Sequence, residues 1–246
     1  MKKRNHNSLF WLTIGLLFGP SSAHAKPNLI FIMADDLGYH DLGCYGHPEI
    51  KTPVLDQLAK KGIKLTGFYA GATVCTPSRI ALMTGSYPTR LGWSKGVVGH
   101  ILSTNHGLSP KALTMAEHFK SAGYQTAMSG KWHLGDRPSF RPHRQGFDHT
   151  FYINKSNNQT DELWRDDKLI EKPYKNLFLT EQFTRKAREF IQTYKDAPFF
   201  LYLPYSAPHF PVEAHPAWKG KSNYGNYGDV VEEMDARIGE ILDVLE

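Results

Sequence analysis

Cysteine is almost missing from this sequence, with two in 246 residues, Cys44 and Cys75. That count and the length exclude a small fold stapled by disulfides. No short period repeats along the chain, which excludes collagen-like, solenoid and low-complexity architectures. Acidic residues are absent before Asp35. The apolar run from Leu9 to Phe18 falls well short of the roughly 20 residues a membrane-spanning helix needs, and no later run is longer. Disorder is excluded in turn by what is present: 41% hydrophobic residues against 22% charged ones, enough apolar side chain to build a core. One globular domain of α/β size is the expectation.

The net charge of +5 suggests an anionic partner until its position is considered. Lys2, Lys3 and Arg4 account for most of it, and without them 26 basic side chains face 24 acidic ones. With no basic stripe left, nucleic acid is not an expected partner. Lys2-Lys3-Arg4, the apolar run, and Ala23-His24-Ala25 form the positive, apolar and small-x-small parts of a secretory signal peptide. Residues 1–25 are therefore expected to be removed after Ala25. The mature chain would be exported to a periplasm or the medium without a stable membrane anchor.

Apolar strands alternate with helical patterns along the rest. Asn28–Ala34 reads as a strand buried on both faces. Thr52-Pro53 reads as a cap and first turn of a helix that Gly62 stops, and Lys64–Tyr69 as a short strand. A helix is expected over Pro77–Thr84. Thr114-x-x-Glu117 is a capping box opening a helix that ends at Gly123. Tyr124–Ser129 and Phe199–Leu203 read as strands. Phe183, Ala187, Phe190, Ile191 and Tyr194 share one helical face, and Val231 to Leu245 reads as an amphipathic helix running to the last residue. The fold class predicted is α/β, a largely parallel sheet flanked by helices on both faces. Its notable polar residues follow the C-terminal ends of strands, the edge where such sheets bind ligands.

Asp35-Asp36 closes the first strand. Adjacent carboxylates repel unless a cation or strong donors lie near, and oxygen-only ligands suit Ca²⁺ or Mg²⁺; a solvated turn is the plain alternative. Cys75 stands at a loop-to-helix junction, where a helix N-terminus favours an anion, with Arg79 one turn in. A disulfide with Cys44, or an inert buried thiol, is equally open to it from the residues alone.

Four strings decide between these readings. C-T-P-S-R (75–79) followed by I-A-L-M-T-G-S-Y-P-T-R resembles the signature of the type I, formylglycine-dependent sulfatases. A-D-D-L-G-Y-H-D-L-G-C-Y-G-H-P (34–48) resembles the N-terminal metal motif of their arylsulfatase A-like members. G-K-W-H-L-G (130–135) and Q-G-F-D (145–148) resemble further blocks, in order, from about Pro27 to the end of the chain. The resemblance implies an alkaline phosphatase-like fold. It implies that a formylglycine-generating enzyme oxidises Cys75 to formylglycine (3-oxoalanine), whose hydrate offers one hydroxyl to attack sulfur and a second whose deprotonation expels sulfate. Asp35, Asp36 and residue 75 would bind Ca²⁺, with Mg²⁺ as the alternative. Arg79 would hold the hydrate, Lys131 the sulfate oxygens, and His133 would act as base. His209 would bind sulfate and protonate the leaving oxygen, and Ser156 would join the hydrate or sulfate shell. His40 stands where such proteins often carry glycine.

A sulfated glycan or aryl sulfate is the implied substrate. A phosphate or phosphonate ester hydrolase of the same superfamily, or a non-catalytic exported remnant, are the rival readings. Family members continue past the last helix into a strand with an Asp-Asn pair, a second lysine and a small C-terminal domain. Residues 26–246 are thus expected to form the N-terminal part of the catalytic domain, a fragment of weak or no activity, short of the six or more oxygens Ca²⁺ prefers. The polar stretch Asn154–Tyr174, with Trp164, is expected to be a loop at the cleft mouth.

Overall fold

The computed structural model describes residues 26–94, 96–99 and 106–246. The expected signal peptide (1–25), its cleavage site and His100 lie outside these residues. Six strands form one sheet: β1 (Leu29–Asp35), β2 (Gln125–Lys131), β3 (His149–Ile153), β4 (Leu163–Arg165), β5 (Lys168–Glu171) and β6 (Phe199–Pro208). Their order is β1-β6-β2-β3-β4-β5. The first four in that order run parallel, and β4 and β5 turn back antiparallel at one border. Asn154–Tyr174 is therefore not the plain loop expected, because its middle folds into a hairpin that extends the sheet. Trp164 there lies under the Arg141 guanidinium, 4.0 Å from ring centre to cation.

The helices are α1 (Pro53–Lys61), α2 (Cys75–Thr84), α3 (Met115–Ser121), α4 (Leu179–Tyr194) and α5 (Gly225–Asp243). Strand β6 shows why they cover both faces. Phe199, Leu201, Leu203 and Tyr205 pack toward α4 and α5, while Phe200 and Tyr202 pack with Ile80 and Met83 of α2 and Ala116 of α3. Successive side chains point to opposite faces, so a strand covered on both must be apolar throughout. Thr114 caps α3 reciprocally with Glu117, as its sequence pattern requires.

Four local expectations change. Asn28–Ala34 is not buried on both faces: β1 is a border strand, and Ile30 to Ala34 are half-buried. Lys64–Tyr69 is no strand. With no partner to pair with, it is an open loop with Leu65 and Phe68 exposed, its carbonyls at Leu65 and Thr66 taken by the hydroxyls of Tyr45 and Tyr39. The Thr52 hydroxyl does not cap α1, because it accepts from the Gly43 N–H and donates to Asp56. Helix α5 stops at Asp243, short of the chain end.

Candidate active site

Four parallel strand ends converge on one point. β1 ends in Asp35, β2 in Lys131, β6 runs into His209, and the turn after β3 carries Ser156. The N-terminus of α2 faces them with Cys75 as its first residue. Gly130 makes the approach of Lys131 possible: its φ is 146°, and a Cβ there would lie 2.0 Å from the Pro204 carbonyl oxygen of β6.

Asp35 is the buried centre. One of its oxygens accepts from Arg79 Nη2 at 3.2 Å, and the other pairs with Lys131 Nζ. Arg79, only 1% exposed, also donates to the Lys131 carbonyl. Lys131 Nζ reaches Ser156 Oγ at 2.7 Å and Cys75 Sγ at 3.5 Å. Ser156 Oγ lies 3.1 Å from His209 Nε2, which stands 3.6 Å from an Asp36 oxygen. Seven of the eight residues singled out in the sequence thus form one connected set: Asp35, Asp36, Cys75, Arg79, Lys131, Ser156 and His209. Asp36 is the outermost, with its side chain 65% exposed and a φ of 63°.

His133 belongs to a neighbouring layer. It is buried, its φ is 58°, and its Nε2 lies 2.9 Å from the Val98 carbonyl oxygen. Its Nδ1 is buried without a partner among the described residues. His40 is exposed and packs edge-on against Tyr39. Both cysteines are free, so the Cys44–Cys75 disulfide does not form; the Cys44 backbone N–H donates to Asp56.

The charges follow from this geometry. Burial works to raise the Asp35 carboxyl, but the adjoining Arg79 and Lys131 cations outweigh it and hold it at about 2. Burial pushes the Lys131 ammonium down against the pull of Asp35. Burial likewise pushes the Cys75 thiol up, with Lys131 opposing, so the unmodified cysteine is a protonated thiol and no thiolate nucleophile. Burial and then the Lys131 charge bring His133 down to about 3; the imidazole is neutral at any physiological pH.

Donor atoms of Asp35, Cys75 and His209 lie within 4.8 Å of one another. Asp35 and Asp36 offer hard carboxylate oxygens, and an oxygen in place of the Cys75 sulfur would add another. With Asp36, whose mostly exposed carboxylate is not among those three donors, that set fits part of the shell of Ca²⁺ or Mg²⁺, and among the described residues no further carboxylate joins it. His209, expected only to meet the substrate, also borders this donor cluster. Cys75, Asp35 and Arg79 line a cleft of about 700 Å³ whose remaining walls are largely apolar, from β1 and residues Phe68–Val74.

Sequence reasoning missed the residues that tie these loops together. Thr76 bonds both His133 and Val98. Asp136 accepts from Asn154 at 2.5 Å and pairs with Lys155 at 2.8 Å, while Asn157 reaches the His209 carbonyl. Thr76 lies inside a recognised string and Asp136 directly follows another, and that placement was their only signal.

Together these features define a class: an α/β protein of alkaline phosphatase-like architecture, with cations, carboxylates and imidazole gathered at the C-terminal edge of its sheet. The sulfatase family model matches residues 27–246, and the chain belongs to that family. It is 36% identical to mouse (Mus musculus) N-acetylgalactosamine-6-sulfatase, over 95% of this chain and 49% of the relative. With human (Homo sapiens) arylsulfatase A it shares 37% identity, over 88% of this chain and 48% of that protein. A Bacteroides thetaiotaomicron sulfatase, solved in work on the metabolism of multiple glycosaminoglycans, superposes with a TM-score of 0.80 at 30% identity, covering 89% of this chain and 59% of that one. The chain spans about half the length of the curated relatives it matches.

Proposed function

We propose that this chain carries the nucleophile side of a sulfuric ester hydrolase site, with residue 75 acting as formylglycine after conversion by a formylglycine-generating enzyme. The observation that carries the reading is the contact of Lys131 Nζ with Cys75 Sγ, Asp35 and Ser156 at once. In the cysteine form, Sγ stands where an oxygen of the aldehyde hydrate would lie. That hydrate supplies one hydroxyl to attack sulfur and a second whose loss of a proton expels sulfate. Asp35 and Asp36 would hold Ca²⁺, or Mg²⁺ in its stead, which supplies Lewis-acid stabilisation of anionic oxygen.

The chain's own groups do the rest. Lys131 binds a sulfate oxygen, and its ammonium, already desolvated, meets the growing charge without reorganisation. Arg79 keeps Asp35 ionised and fixed. Ser156 lies between Lys131 and His209, donating or accepting as the bound oxyanion requires. His209, beside the Asp36 carboxylate, would give a proton to the leaving oxygen. Neutral His133, its Nε2–H spent on the Val98 carbonyl, keeps a lone pair at Nδ1 to take the hydroxyl proton.

A sulfated sugar is the substrate class favoured by the similar proteins' names, with aryl sulfates as practical probes. Residues 1–25 would direct export, and among the described residues no helix is long and apolar enough to cross a membrane. The test is hydrolysis of an aryl sulfate with Ca²⁺ by chain co-produced with a formylglycine-generating enzyme. Turnover that falls at least about 100-fold in Cys75→Ala, the order expected on removing a covalent nucleophile, supports the reading. Equal turnover by Cys75→Ala overturns it.

A further inference from the structure

Thr76 occupies the variable position of the C-x-P-S-R string, to which no role attaches, yet it is fully buried. Its hydroxyl lies 2.9 Å from the His133 carbonyl oxygen and 3.1 Å from the Val98 amide nitrogen. A carbonyl only accepts and an amide N–H only donates, so the hydroxyl's direction is settled: it donates to His133 and accepts from Val98. The same two residues meet again through the ring, His133 Nε2 against the Val98 carbonyl at 2.9 Å. That carbonyl also can only accept. The three contacts close a ring of hydrogen bonds joining the first turn of α2, the turn after β2 and the Val98 segment.

Two further features show what the ring is for. His133 has a φ of 58°, a left-handed conformation that a non-glycine side chain adopts at a cost and keeps only where its surroundings impose it. The Thr76 hydroxyl bonds the carbonyl of that residue. His133 Nδ1 is buried and has no partner among the described residues, which is unusual for a polar atom that nothing uses.

We propose that Thr76 is a positioning residue that fixes the setting and tautomer of His133, holding the proton on Nε2 and leaving Nδ1 as the free lone pair. With Thr76 pinning both the Val98 amide and the His133 carbonyl, the ring nitrogen that meets the Val98 oxygen must be the protonated one. The residue next to the nucleophile therefore sets the proton position of the base. This rests on the role given to His133 above, but its test does not need turnover.

The tautomer is read by two-bond ¹H–¹⁵N correlation spectra of the full chain labelled at histidine, with the His133 signal assigned by its loss in His133→Gln. The native chain is expected to show one tautomer, Nε2–H, near neutral pH, and a slowly exchanging Val98 amide. Thr76→Ser keeps the hydroxyl and is expected to preserve both. Thr76→Val keeps shape and volume without the hydroxyl. It should show averaged tautomers and a Val98 amide exchanging about 10-fold faster, the order expected for one lost buried hydrogen bond. A valine variant that retains a single Nε2–H tautomer and native exchange overturns the proposal. Should the valine chain not fold, the native and serine chains decide: Nε2–H in both supports it, and Nδ1–H or a mixed population in either refutes it. A chain inactive on every sulfate ester, yet showing this tautomer pattern, would count against the proposed function and leave the role of Thr76 standing.

Discussion

Helix α1 is capped by a side chain from the far end of the sequence, and removing that cap gives a test with a calculable size. Asp235, on α5 and 1% exposed, accepts from the Val54 N–H at 3.1 Å and the Leu55 N–H at 2.8 Å. These are the second and third helical residues, whose N–H groups have no partner inside a helix. Pro53 brings no N–H, and Thr52 spends its hydroxyl elsewhere. In Asp235→Ala both N–H groups lose their acceptor inside the protein. Two charge-assisted hydrogen bonds, taken at about 1.5 kcal/mol each, give a figure near 3 kcal/mol. Burial, which raises the Asp235 carboxyl, offsets part of that, leaving a loss of about 2 kcal/mol, within the range of cap deletions. For a chain of this size the melting temperature should fall by roughly 4–8 °C. Asp235→Asn, with one acceptor oxygen, should lose about half as much. Urea unfolding followed by far-ultraviolet circular dichroism measures both. An alanine variant within about 0.5 kcal/mol of the native chain would show that Asp235 does not hold α1, since changes of that size are ordinary for surface substitutions.

Three other outcomes follow from the site. His133 titrates at about 3 in the folded chain against 6.5 ordinarily, so the unfolded chain takes the proton first and stability falls as pH drops from about 6.5 toward 3. His133→Gln should flatten that limb of a plot of urea midpoint against pH. Asp35, held at about 2 against 3.8, contributes stability that is present above 3.8 and lost as pH falls through 2. Asp35→Asn should abolish this lower limb while costing about 3 kcal/mol or more at neutral pH, because Arg79 and Lys131 stay buried without their anion. Gly130→Ala should fold poorly or lose about 3 kcal/mol, since its φ and the Pro204 carbonyl leave a methyl group no room; a melting curve matching the native one would refute the close approach.

Much of the fold was legible because burial on both faces leaves a plain imprint. Phe199–Leu203 could only be an inner strand, and the Thr114–Glu117 box could only open a helix. Lys64–Tyr69 carries the same apolar letters, but a strand also needs a partner, and pairing across distant sequence leaves no local mark. The β4–β5 hairpin was hidden for a related reason: its strands have only three and four residues, largely exposed, too short for a hydrophobic period to announce them. At the site, Asp35, Cys75, Arg79, Lys131 and His209 were visible as members of recognisable strings and as residues at strand ends. Thr76, Asn157 and Asp235 were not, because each acts on a backbone group far away in sequence, and Asp136 was not, because its partners are the side chains of Asn154 and Lys155. A side chain reaching a remote N–H or carbonyl has no periodicity, no partner letter and no motif to betray it.

Whether residue 75 becomes the proposed aldehyde, within reach of Lys131, is decided by mass spectrometry of the peptide that spans it. The chain is produced with and without a formylglycine-generating enzyme, alongside a peptide that enzyme converts. Co-production is expected to replace the thiol by an aldehyde, with sulfur and two hydrogens lost and one oxygen gained, and the product is expected to react with a hydrazide. A cysteine left intact in the chain, while the control peptide is converted, would contradict it.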